Sequence, residues 1–220
     1  MNSWNVLFIV VLLFIAALAA TAADFVTFPG ALSETKSPNG SYVVKNVPDR
    51  SLFFLRNGQK SQRPLNLPSG GLYYGESSPR QNVYDREVNI LWSPDSSEFV
   101  LNDWYGSDQA DAYLYRVDAL AHPIDIGARL QSSMTDKIDK QCIEHGVHCF
   151  IFVSRWVGPK VVEVKIAGDY TSNVNHKEQF RQFTLYYLWD LRTKKFQRIK
   201  RESSFEIEPF GSERPRRTKG

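Results

Sequence analysis

The sequence predicts a mainly antiparallel β fold carrying one amphipathic helix, on three observations. Aromatic residues make up 13% of the 220-residue chain, and many sit in short runs of alternating or apolar side chains, a strand pattern. Clusters of Pro, Gly, Asn, Asp and Ser break those runs. One stretch departs from the two-residue period: Leu130, Met134, Ile138 and Cys142 recur four residues apart, which is a helical spacing.

Taken along the chain, the runs predict strands at Tyr42–Val47, Leu52–Arg56, Glu87–Trp92, Glu98–Asn102 and Ala112–Val117. Further strands are predicted at Cys149–Trp156, Lys160–Ala167, Gln182–Asp190 and Lys195–Lys200. Turns separate them at Ser37-Pro38-Asn39-Gly40, Asn57-Gly58, Pro68-Ser69-Gly70-Gly71, Ser93-Pro94-Asp95-Ser96 and Gly158-Pro159, where Pro presets φ and Gly or Asn accepts φ > 0. The helix is predicted over residues 127–144, with Asp136, Lys137, Asp139 and Lys140 between the apolar positions and Gly146 just beyond as a stop signal.

Two segments repeat a pattern. Ser37-Pro38-Asn39-Gly40-Ser41 precedes the run LFFLR, and Trp92-Ser93-Pro94-Asp95-Ser96 precedes AYLYRVD. These turns resemble the S-P-D-G hairpins of TolB-type and WD40-like β-propeller blades. The segment YLWDLRTKKFQRI is similar to the strand–turn–strand that ends such a blade. The resemblance covers about a third of the chain and implies propeller-like antiparallel sheets. The two turns are 56 residues apart, against roughly 40–45 per WD40 blade, so a β-sandwich stays open beside the propeller-like arrangement.

Residues 1–23 read as an export signal. Val6 to Ala20 is VLFIVVLLFIAALAA, an apolar core of signal-peptide length, followed by Ala20-Thr21-Ala22 as a cleavage pattern. The segment MNSWN before it lacks Lys and Arg. Cleavage leaves about 197 residues, enough for one core-bearing domain over 24–211. The tail 212–220, SERPRRTKG, holds four basic residues and one acidic residue, which leaves 23 charges of each sign in the body. A neutral body lacks the basic face that nucleic-acid binding requires, and the tail has no apolar side chain to bury. The expected location is periplasmic or secreted, with only a transient membrane encounter through the signal.

Chemistry-bearing residues gather in two places. Asn102-Asp103-Trp104-Tyr105-Gly106-Ser107-Asp108-Gln109-Ala110-Asp111 combines three carboxylates with two aromatics. Asp103, Trp104, Tyr105, Asp108 and Asp111 are therefore the expected binding residues, since aromatic side chains favour interfaces. The run does not match a calcium loop. Cys142 and Cys149 close the segment C-I-E-H-G-V-H-C, and an even cysteine count in an exported chain predicts a disulfide between them. His145 and His148 add ligands of the kind zinc accepts. Four ligands within eight residues would strain a tetrahedron, however, so no metal or cofactor is expected.

No nucleophile elbow, metalloprotease helix or phosphate loop occurs in the sequence. The functional expectation is a non-enzymatic exported binding module whose partner is a protein or envelope component. The alternative is an exported hydrolase with a dispersed site built from Asp103, Asp108 or a histidine. The basic cluster Arg192, Lys194, Lys195, Arg198, Lys200 and Arg201 reads as an edge strand guarded against self-pairing.

Overall fold

A computed structural model of the chain describes residues 26–28, 34–47, 51–59, 61, 63–65, 68, 87–104, 109–144, 146–174 and 177–203. Residues 1–23, expected to be an export signal, the basic tail, Tyr105, Asp108 and His145 lie outside these residues. Among the described residues no helix is long and apolar enough to cross a membrane.

The fold is mainly antiparallel β, of the propeller-like or sandwich class, and it is built as three successive meanders. The first is a four-stranded sheet of β2 (Glu34–Lys36), β3 (Tyr42–Val47), β4 (Ser51–Arg56) and β5 (Arg63–Pro64), in that order. The second holds β1 (Val26–Phe28), β6 (Glu87–Trp92), β7 (Glu98–Trp104) and β8 (Gln109–Arg116), with the short β9 (Ile124–Asp125) pairing with β8. The third holds β10 (Gly146–Gly158), β11 (Val161–Val174), β12 (Lys177–Asp190) and β13 (Lys195–Ser203). Second and third join as one nine-stranded sheet through a parallel contact of two residue pairs, Cys149 with Gln109 and Phe150 with Ala110.

Alternation explains why the second meander is central. Phe99 and Leu101 of β7, with Tyr113 and Tyr115 of β8, face one core cluster; Val100, Ala112 and Leu114 face another. Both faces are thus covered, and EFVLNDW reads as a nearly continuous buried run, as expected for a strand inside a layered structure. The first meander contributes Val44, Leu52, Phe54 and Leu65 to the first cluster, which is rich in stacked rings. Phe99 and Tyr115 lie 5.0 Å apart, nearly parallel, the spacing favoured for offset aromatic pairs. The third meander contributes Val153, Trp156, Val164, Leu185 and Trp189 to the other.

The predicted helix is present as two helices, α1 (Ile126–Ser133) and α2 (Lys137–Glu144). Asp125 caps α1 by accepting from the Ala128 N–H, and Asp136 caps α2 by accepting from Ile138 and Asp139. The break lies where Ser132 and Ser133 turn their hydroxyls back onto the α1 carbonyls, a competition that weakens helices. Met134 is extended, and a new cap follows at once. The apolar row survives the break: Leu130, Met134 and Cys142 are buried in one cluster, with Ile138 packed against it.

The two Ser-Pro turns are the same structure. The hydroxyls of Ser37 and Ser93 donate to Asn39 and Asp95 and accept from the Tyr42 and Glu98 N–H groups respectively. The fourth position is left-handed in both, Gly40 at φ 69° and Ser96 at φ 60°. These turns also touch, since the Asn39 N–H donates to the Ser96 hydroxyl at 3.0 Å. Lys160, at the β10–β11 turn, reaches Ser97, Glu98 and Asp95 at 2.7–3.1 Å, and its carbonyl accepts from the Leu191 N–H. One end of all three meanders is thereby tied together.

Candidate functional site

β7 divides the expected binding run between two faces. Asp103 is fully buried, opposite Val88 on one side and Asp111 on the other. Burial together with the Asp103 charge pushes the Tyr115 phenol above its ordinary range. Asp111 is half-buried and accepts from Tyr113 at 3.4 Å. Trp104 points the other way, where its indole N–H donates to Asn89 at 2.6 Å. Tyr105 and Asp108 lie outside the described residues.

The Trp104 ring meets two aromatics that the sequence reading did not single out, Phe150 at 5.8 Å and Phe152 at 5.3 Å between centroids. All three are half-buried. They stand at the outer face of the third meander, the face turned away from the core. Strand register carries that face outward in rows: Phe152, Lys165, Tyr186 and Lys200 form one, and Phe150, Ala167, Thr184 and Glu202 the next. Tyr186 is flanked on both sides by ammonium groups, Lys200 at 4.3 Å and Lys165 at 5.2 Å from its ring centroid, within cation–π range.

The following row is His148, Asp169 and Gln182. Asp169 lies 2.7 Å from the His148 Nδ1 and also accepts from the His148 backbone N–H. The pair lines an open cleft of about 400 Å³ with Phe150 and Thr184. Gly168 makes the close approach possible, because a Cβ there would collide with the His148 carbonyl and the Phe183 ring. The pairing hides from a simple register count. Continuing from Gly158 opposite Val161 without interruption would set His148 against Thr171, and the β10 bulges shift it to Asp169.

The cysteines correct an expectation. Both Cys142 and Cys149 are free thiols, and the predicted disulfide is not formed. Cys142 sits in the core cluster and Cys149 packs against it, each acting as a small apolar side chain. Burial, reinforced by Asp139 for Cys142 and by Asp111 for Cys149, pushes both thiols up to about 11. Alternation also turns His148 away from its neighbour Cys149, which splits the C-x2-H-x2-H-C set across a sheet. Among the described residues no group of three or more His, Cys, Asp or Glu side chains is arranged to hold a metal ion.

The basic run on β13 is largely occupied. Arg198 and Arg201 reach the buried Asp139 and its neighbour Asp136, and Lys200 pairs with Glu202. Tyr187 donates to Asp139 as well. The run fastens α2 to the last two strands.

No protein-family model matches the chain, and no curated protein matches it. A solved structure from a study of two prolyl endopeptidases matches at 8% identity with a TM-score of 0.34. The match covers 79% of this chain and 36% of that one. At that degree of likeness nothing about fold or activity passes from it to this chain.

Proposed function

We propose that the protein is an exported, non-enzymatic binding module that contacts its partner through the outer face of the third meander. The observation that carries this reading is the half-buried aromatic group of Trp104, Phe150 and Phe152, with Tyr186 further along the same row as Phe152, none of which belongs to either core cluster. Scattered exposed apolar side chains are ordinary, whereas a contiguous group rimmed by polar residues marks an interaction surface. Here Lys165 stands between Phe152 and Tyr186 in the same row, and Lys200, Glu202 and Gln182 border the group. Rings held by neighbouring rings also lose little conformational freedom on binding, which keeps the cost of association low. The proposed surface keeps Trp104 from the run expected at residues 102–111 and extends onto β10 and β12, while Tyr105 and Asp108 lie outside the described residues.

The test is affinity capture from the extracellular or periplasmic fraction with wild type, Trp104→Ala and Tyr186→Ser, each first checked for an unchanged thermal transition. Partners retained by wild type and lost by both variants are the expected outcome. An identical set recovered by all three would remove this face from the account. Export itself is tested by the intact mass of the secreted chain, expected to begin near Asp24.

A second reading is favoured by one observation, the His148–Asp169 pair on a cleft. A carboxylate at Nδ1 fixes the imidazole tautomer and leaves the other nitrogen available as a general base. A hydrolase of this kind would turn over a substrate in a broad screen and lose that turnover in His148→Gln.

A further inference from the structure

A second concavity lies at the opposite end of β7 from Trp104, roughly 20 Å away along a seven-residue strand. It has a volume of about 420 Å³, within the range of small-molecule sites. Its floor is apolar, made by Leu114, Ile124, Leu191 and Trp189. Two ion pairs on its walls are closed: Arg116 with Asp118 at 2.7 Å, and Lys160 with Glu98 at 2.9 Å. Two cations remain on the rim, Arg129 and Lys194, and neither side chain has a hydrogen bond or ion pair among the described residues.

Trp189 is 2% exposed and lines the cleft, which makes its ring a reporter of that place; its indole N–H, like that of Trp92 in the other core cluster, is buried without a hydrogen-bond partner among the described residues. Lys194 ends the β12–β13 turn with a left-handed φ of 58°, an ordinary conformation for the last residue of such a turn, and its exposed side chain lines the cleft.

The geometry points to a binding site for a small organic carboxylate with an apolar body. The body would lie on the Leu114–Ile124–Leu191 floor beside the Trp189 ring, and the carboxylate would face Arg129 and Lys194. A bare inorganic anion would leave the apolar floor in water, and a neutral apolar molecule would leave both cations unanswered. This site is separate from the binding face proposed above, so either can fail alone.

The test is a titration of the full exported chain with phenylacetate, phenylacetamide and inorganic phosphate, followed by the indole N–H resonances. The Trp189 signal is identified by its loss in Trp189→Phe. Phenylacetate is expected to saturate at or below ~10 mM, with phenylacetamide and phosphate weaker by about tenfold or more. The double change Arg129→Gln with Lys194→Gln removes two exposed, unpaired cations. It is expected to weaken phenylacetate by about tenfold while leaving phenylacetamide unchanged. Equal binding of the amide, phosphate binding as tightly, an unaffected double variant or no saturation would each overturn the site.

Discussion

Asp139 shows how a single residue joins elements distant in sequence. It is fully buried on α2, yet receives Tyr187 from β12 and both Arg198 and Arg201 from β13. Breaking a buried ion pair by removing one partner costs roughly 3–5 kcal/mol. Arg198 is 40% exposed and Arg201 28%, and Asp136 remains to face them, so Asp139→Asn is expected to cost about 2 kcal/mol in urea unfolding. The cysteines give a second expectation at this scale. With both thiols held up to about 11 by burial, iodoacetamide at neutral pH should label the folded protein far more slowly than the unfolded chain. Intact mass over time reads this directly; equal rates in the two states would contradict the burial of both.

At the scale of elements, strands and turns were largely legible and their meetings were not. Tyr42–Val47 and Glu87–Trp92 occupy the strands expected of them, because alternation under an aromatic-rich composition leaves few other ways to bury those side chains. The Ser37 and Ser93 turns repeat bond for bond, as their sequences do. Strands of two or three residues, such as β5 and β9, carry too little pattern to be seen. The helix break escaped because the four-residue spacing of Leu130, Met134, Ile138 and Cys142 runs on unchanged through the three non-helical residues 134–136 between the helices. Of the expected binding run, the sequence marked Trp104 but could not tell that Asp103 beside it points inward. Phe150, Phe152 and the His148–Asp169 pair depend on pairings across sheets and bulges, which composition does not encode.

Asn102 is the clearest of those hidden connections. Fully buried on β7, its amide donates to the Val153 carbonyl and accepts from the Val153 N–H, both at 2.9 Å. The side chain therefore serves as a strand partner for β10 beyond the point where the parallel pairing ends. Asn102→Ala leaves a buried N–H and C=O unpaired, at about 1–3 kcal/mol for the group. The expected loss is about 3 kcal/mol, with the β10 amides around Val153 losing hydrogen-exchange protection first. A variant with unchanged stability would contradict the role assigned to it.

Across the whole molecule, three meanders are stacked on two core clusters and tied at one end by their turns. Several carboxylates that hold neighbouring elements together favour ionisation in the fold. At Asp95, burial opposes ionisation but is outweighed by hydrogen bonds from Ser93, Ser97 and Lys160. At Asp136 and Glu163 burial is likewise outweighed, by backbone N–H groups and Arg198 at the first and by Ser154 and Arg155 at the second. Folded values below ordinary ones of 3.8 and 4.5 mean that the unfolded chain takes up protons first. Stability is then complete above about pH 5 and falls as the pH drops through and below the ordinary carboxylate range. The raised thiols work at the other end, costing stability between about 9 and 11 as the unfolded chain ionises first. Thermal midpoints across pH check both limbs.

The proposed partner-binding surface is the outer face of the third meander, whose aromatic side chains belong to neither core cluster. Its most direct test is hydrogen exchange on the protein, alone and with a captured partner bound. New protection is expected over residues 148–152 and 182–186, with the buried strand 98–103 unchanged. Protection confined to any other surface would contradict it.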